Sequence, residues 1–177
     1  MSHAFVAANP LTHRDELIEL NVEYLSWVFD GIEKHFGIPA DEVVGKPARD
    51  YVPTVVDKVC GDPPPKGVFY LLEVDGSVAG MGGLRFLSPG AAEIKRIYIR
   101  PSHRGRGLGD IVLNRLISDA TDFGYAKMCL DSGPFMGTAQ RIYEAAGFKD
   151  CNVYDGTEVP VELRSGWRFM ERNLSTK

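Results

Sequence analysis

From Ile97 to Asp110 the chain reads Ile-Tyr-Ile-Arg-Pro-Ser-His-Arg-Gly-Arg-Gly-Leu-Gly-Asp. Apolar and β-branched residues give way to alternating glycine and arginine, and an apolar helical pattern begins where the glycines end. Glycine lets backbone approach a ligand closely, and the first N–H groups of a helix have no partner inside it. A strand, a glycine loop and a helix N-terminus form a socket for anionic oxygens, most often phosphate or pyrophosphate. This order commits the segment to an α/β arrangement, with Arg104 and Arg106 beside the socket.

The flanking pattern predicts the order β-α-α-β-β-β-α-β-α-β-β, one mixed α/β domain over residues 1–177 without internal repeats. Ala4 to Ala8 suits a short first strand. Thr12 and Asp15 resemble a capping box. They open a helix striped by Leu17, Leu20, Leu25, Val28, Phe29 and Ile32, which Gly37 and Pro39 end. A second helical stretch runs from Asp41 to Cys60, interrupted by Gly45-Lys46-Pro47 and Pro53. Strands follow at Gly67 to Val74, Ser77 to Leu87 and Ala92 to Ile99, with Asp75-Gly76 as a hairpin turn. Leu108, Ile111, Val112, Leu116, Ala120 and Phe123 form one helical face ended by Gly124. Tyr125 to Leu130 is a buried strand, Gly137 to Ala146 a helix, and Phe148 to Tyr154 and Gly166 to Asn173 are the last strands.

The net charge of −4 argues against nucleic acid or an anionic membrane as partner, and makes Arg96, Arg100, Arg104 and Arg106 a basic island suited to a small anion. Three cysteines, Cys60, Cys129 and Cys151, lack the paired spacing of a zinc site, and four histidines are scattered, so no metal is expected. Neither a signal peptide nor a membrane-crossing apolar run is present. A cytoplasmic location is expected.

Two nucleotide solutions fail at the loop. A Walker loop needs Gly-Lys-Ser/Thr, and the chain continues Gly107-Leu108-Gly109-Asp110. A dinucleotide fingerprint counted from Gly105 would need glycine at Asp110, and too little chain follows for a doubly wound sheet. Arg104-Gly105-Arg106-Gly107-Leu108-Gly109 instead resembles the R/Q-x-x-G-x-G/A signature of the GNAT N-acetyltransferase family. Ala92 to Pro101 resembles that family's fourth strand and the proline after it. Ile142-Tyr143-Glu144-Ala145-Ala146-Gly147-Phe148 resembles its L-Y-E-x-x-G-F segment. With Leu130-Asp131-Ser132-Gly133 between them, the likeness covers residues 68 to 154, and the N-terminal third matches only in element order.

The resemblance implies a single-domain α/β GNAT fold, a mixed central sheet of about six to seven strands with splayed fourth and fifth strands and flanking helices. It implies an acetyl-CoA-dependent N-acetyltransferase acting on a primary amine of a small molecule or peptide by direct attack in a ternary complex. Arg104, Gly105, Arg106, Gly107, Leu108 and Gly109 would hold the pyrophosphate. Ile97, Tyr98 and Ile99 would line the pantetheine arm, pairing with it as an added strand. Tyr143 would sit near the coenzyme sulfur and protonate the leaving thiolate; packing or cofactor orientation is its other reading.

Glu93 aligns with an acid used as base in some relatives, and an ion pair with Lys95 or Arg96 is the competing reading. Asp131 is a lesser candidate, and a mechanism without a dedicated base stays open. Many members carry Asn where this chain has Met136. That difference supports the rival reading, an idle acyl-CoA-binding sensor. The acceptor site is expected between the first two helices and the final strands, with Tyr24, Trp27, Phe29, Asp30, Glu33 and His35 crowding the first helix. In this fold late strands often pair between subunits, so a homodimer is compatible.

Overall fold

Alternating apolar residues in the middle of the chain build a sheet buried on both faces. β2 (Val68–Val74) turns Phe69 and Leu71 to one side and Val68, Tyr70, Leu72 and Val74 to the other. The computed structural model describes residues 1–175. β1 (His3–Ala7), β3 (Ser77–Ser88), β4 (Ala91–Ile99), β5 (Lys127–Ser132), β6 (Lys149–Asp150) and β7 (Arg168–Asn173) complete one sheet in the order β1-β2-β3-β4-β5-β7-β6. Neighbours are antiparallel except β4 and β5.

Among the described residues, four α-helices cover the faces. α1 (Arg14–Phe36) and α2 (Ala48–Cys60) bury Leu17, Leu20, Ile32, Val52 and Val56 against Leu71 and Met81. α3 (Leu108–Asp122) and α4 (Gly137–Ala145) bury Val112, Leu116 and Tyr143 against Leu72, Ile94 and Leu130 on the opposite face. Full burial of one such aliphatic side chain stabilises the fold by about 2 kcal/mol.

Two irregularities position the site. Met81 pairs with Tyr98 but Gly83 with Lys95, so β4 carries one extra residue, and Arg96 takes φ 53° there. Such a bulge reverses the alternation of side chains. Ala92 and Ile94 accordingly face α3, whereas Tyr98 faces α1. The second irregularity is divergence. β4 and β5 pair only at Ala91–Lys127, Ala92–Met128 and Glu93–Cys129, and beyond that point they separate.

The predicted element order holds, with three local corrections. His13, not Thr12, occupies the N-cap of α1 and no side chain caps it; the Asn9 N–H donates to His13 Nδ1 (2.9 Å) and organises the approach. Residues 41–46 form turns rather than helix because Gly45 sits at φ 74° and Pro47 is extended, so α2 begins at Ala48 and contains Pro53. The strand expected over Phe148 to Tyr154 shrinks to β6, which ends where the chain leaves β7 toward the Asp155-Gly156 turn.

Candidate active site

Gly107 caps α3 with φ 71°, a left-handed conformation that glycine adopts without strain, and no side chain caps the helix. The first-turn N–H groups of Leu108, Gly109 and Asp110 therefore face outward at the positive end of the helix dipole. They open into a cleft of about 690 Å³. One wall is Ile97, Tyr98 and Ile99, residues beyond the last β4–β5 pair. The facing wall is Met136 to Ala139 and Ile142 from the start of α4.

Arg104 is exposed yet fixed. Its Nε donates to the Ile99 carbonyl (2.9 Å), and its guanidinium lies 5.9 Å from the Trp27 ring and 5.6 Å from that of Tyr98. Gly105 and Gly107 line the cleft beside it, whereas Arg106 is exposed and outside the lining. Phe135 closes the rim, wedged between Trp27 and Trp167 at 5.9 Å from each ring. It fits because residue 31 is glycine: a Cβ there would lie 2.5 Å from the Phe135 ring.

A second cavity, about 170 Å³, opens on the α1 and α2 side. β4 serves both: Ile94, Lys95 and Arg96 line this cavity, and Ile97 to Ile99 line the larger cleft. Tyr24, Tyr51, Asp131, Glu158 and Trp167 add polar groups among apolar walls. Asp131 Oδ1 accepts a hydrogen bond from Trp167 Nε1 (2.8 Å). Burial pushes its carboxyl above the ordinary aspartate value, and the opposing pull of Lys95 does not cancel that.

Glu93 lies elsewhere. It is fully buried, pairs with Arg85 Nε (2.8 Å) and Lys95 Nζ (3.2 Å), and lines neither opening. Of the two sequence readings for Glu93, the ion pair with Lys95 is the one the geometry displays; Arg96 takes no part in it. Lys95 also holds Glu158 (2.8 Å), so a charged chain runs Arg85–Glu93–Lys95–Glu158 behind the cavity.

Tyr143 is buried on α4, its ring 6.1 Å from Phe148 in an edge contact. Burial raises its phenol, and Tyr24 and Asp131 add to the shift; like Glu93, Tyr143 lines neither opening. The family-like segment ends in a turn at Gly147 (φ 87°), where the Phe148 N–H donates to the Tyr143 carbonyl (3.0 Å).

Residues 23–148 match the model of the Acetyltransferase (GNAT) family. The chain belongs to that family. An uncharacterised N-acetyltransferase of Schizosaccharomyces pombe is 32% identical over 99 residues, 55% of this chain and 61% of the relative. YjgM, an uncharacterised N-acetyltransferase of Escherichia coli, is 25% identical over 123 residues, 67% of this chain and 70% of its own. An IAA acetyltransferase of Azospirillum brasilense is 29% identical over 83 residues, 46% of this chain, and the match spans 54% of that relative. The matches thus span little more than half the length of two of these three relatives. Among solved structures, a GNAT acetyltransferase from Staphylococcus aureus superposes with TM-score 0.71 at 17% identity, over 98% of this chain and 100% of that one. PaiA N-acetyltransferase from Thermoplasma acidophilum, solved with coenzyme A, gives TM-score 0.67 at 17% identity over 98% and 99% of the two chains.

In this GNAT domain the position that often carries Asn has a different use. The Gly133 N–H donates to Met136 Sδ (3.3 Å), so the thioether closes the turn before α4 while its side chain lines the larger cleft. Of the aromatic and polar residues expected along α1, Trp27 lines the larger cleft, and Tyr24 and Phe29 line the smaller cavity. His35 packs against Phe135 with ring centroids 5.5 Å apart and planes tilted by 47°. Phe135, Trp167, Glu158 and the cavity-lining role of Arg96 escaped the sequence reading, because each depends on contacts between distant elements. Among the described residues, no cluster of His, Cys, Asp and Glu could hold a metal, and no helix is long and apolar enough to cross a membrane.

Proposed function

We propose that this GNAT protein transfers an acetyl group from acetyl-CoA to a primary amine by direct attack in a ternary complex. The observation that carries the reading is the cleft between the diverging β4 and β5, which ends at the uncapped N-terminus of α3. Its parts match the chemistry of the co-substrate. N–H groups of α3 and the loop at Gly105 and Gly107 suit a pyrophosphate. The β5-facing edge of Ile97 to Ile99 suits amide groups of a pantetheine arm as an added strand. The co-substrate brings an activated acyl carbon; the protein positions it and manages protons.

In this reading a β4 backbone N–H stabilises the negative charge that grows on the carbonyl oxygen. The Tyr143 phenol, which burial keeps protonated, donates to the departing sulfur. Asp131 takes the proton of the amine. Its raised carboxyl makes it a better base than an ordinary aspartate, and it lines the cavity next to the cleft. Glu93, the base expected from the sequence, instead acts through Lys95, holding that cation and the β4 backbone in place. The three cysteines stand free, which accords with a cytoplasmic setting.

A second reading, an acyl-CoA-binding module without turnover, draws on Met136, which puts a thioether where a polar contact is common. Free-thiol release with acetyl-CoA across a panel of amines decides between them. Acetyl-CoA binding without thiol release for any amine would establish the module.

A further inference from the structure

The smaller cavity faces the amine in the reading above, and this inference rests on that assignment. Among its lining residues Arg96 is the anomaly. Its Nη1 donates to Asn21 Oδ1 (2.7 Å), a neutral partner. Asn21 is fully buried, and its amide N donates to the Leu17 carbonyl (2.7 Å), which fixes the oxygen toward Arg96. Among the described residues no carboxylate forms an ion pair with Arg96. Lys95 has Glu93 and Glu158, Arg85 has Glu93, and Arg100 has Glu19 and Glu23. A half-buried guanidinium whose partner is neutral has unused donors for an incoming anion.

The backbone is strained to bring it there. Arg96 is the extra residue of the β4 bulge and holds φ 53°, a region that costs a side-chain-bearing residue stability. Bulges beside active sites commonly re-aim one side chain. The rest of the cavity selects the remainder of the ligand. Asp131, whose side chain among the described residues accepts one hydrogen bond, from the Trp167 N–H, is the group for an amine, while Val28, Ile32, Val44 and Leu163 offer an apolar wall. At about 170 Å³ the space suits a few heavy atoms rather than a peptide segment.

We propose that Arg96 binds the carboxylate of the acceptor, and that the acceptor is a free amino acid with a short apolar side chain. In the ternary complex Asp131 receives the amine and Arg96 the carboxylate of the same small molecule.

The test uses matched sets: leucine, valine and methionine, their amides, and the amines left by removing the carboxyl group. Thiol release from acetyl-CoA is measured for the full chain and for Arg96→Gln. For at least one set, kcat/KM for the acid is expected to exceed those of its amide and amine by at least about tenfold, the scale of a charge-assisted pair. Arg96→Gln is expected to erase that margin through the acceptor KM while leaving the acetyl-CoA KM unchanged. Amides as good as acids, or a margin that survives in Arg96→Gln, overturns the proposal. Calorimetric binding of N-acetylleucine and N-acetylleucinamide to the coenzyme A complex separates this from failure of the transferase reading. Binding that needs both the carboxylate and Arg96, without turnover, keeps the subsite and removes the enzyme. Turnover or binding without carboxylate preference removes the subsite alone. The acid–amide comparison in the unsubstituted protein decides the matter even if Arg96→Gln does not fold.

Discussion

Trp167 Nε1 donates to Asp131 Oδ1 at 2.8 Å, joining the start of β7 to the end of β5 at the mouth of the smaller cavity. This neutral donor orients the carboxylate without neutralising it, and among the described residues no hydrogen bond occupies its second oxygen. Burial then raises its affinity for a proton, the property a base near neutrality needs.

Asp131→Asn should therefore lower kcat/KM by roughly 10²-fold, the low end for loss of a positioned base. The sign of the pH effect follows from the upward shift. The active form is the carboxylate, so activity falls as pH drops through a value above that of an ordinary aspartate. A pH profile of kcat/KM should lose that acidic limb in Asp131→Asn and keep the limb belonging to the amine itself.

Tyr143→Phe removes a phenol that burial holds in its protonated form. Turnover should fall by about tenfold or more, with a smaller change in the KM for acetyl-CoA, because the lost hydrogen bond matters most as charge develops on sulfur. Steady-state kinetics at saturating amine measure the split. Unchanged kcat would sink the acid role.

Gly107→Ala adds a Cβ into open space, so its whole effect is backbone strain at φ 71°. The substitution should cost about 1 kcal/mol of stability. It should also weaken coenzyme A binding, since relaxing that residue re-aims the N–H groups of the first turn. Thermal melts and calorimetry report the two effects separately.

Glu158 links Lys95 to the cavity rim. Burial opposes its ionisation, but Lys95, Arg85 and Lys58 outweigh that and bring the carboxyl down to about 2 from an ordinary 4.5. A depressed carboxyl stabilises the fold above its unfolded value and loses that contribution as pH falls. Between pH 4.5 and about 2, Glu158→Gln should flatten the decline in stability relative to the parent chain, as followed by denaturant unfolding.

What could be read from the residues alone was local. The apolar and aromatic run of Val68 to Val74, the Asp75-Gly76 turn and the glycines at 105 and 107 each act within a few residues, and the element order and anion loop follow from them. The likeness of residues 92 to 109 and 142 to 148 to family segments added the divergence of β4 and β5. The charge network was out of reach because its partners are far apart in sequence. Arg85 meets Glu93 only through strand register, Lys95 meets Glu158 across the cavity, and Asp131 meets Trp167 across the β5–β7 edge. Glu93 looked like a base by alignment; its burial between two cations is a tertiary fact. Arg96 carried no local mark, since nothing in Lys-Arg-Ile announces a left-handed residue.

The added residue in β4 works as a phase shift in a wave of period two. Upstream of it, odd and even positions address one pair of faces; downstream, the assignment is exchanged. Tyr98 can support Arg104 from the α1 side only because Arg96 has been inserted before it. Deleting Arg96 would thus do more than remove a charge. It would turn Tyr98 toward α3, swing Ile97 toward α1, and take the shelf from under the anion loop, so that one excision disables both cavities at once.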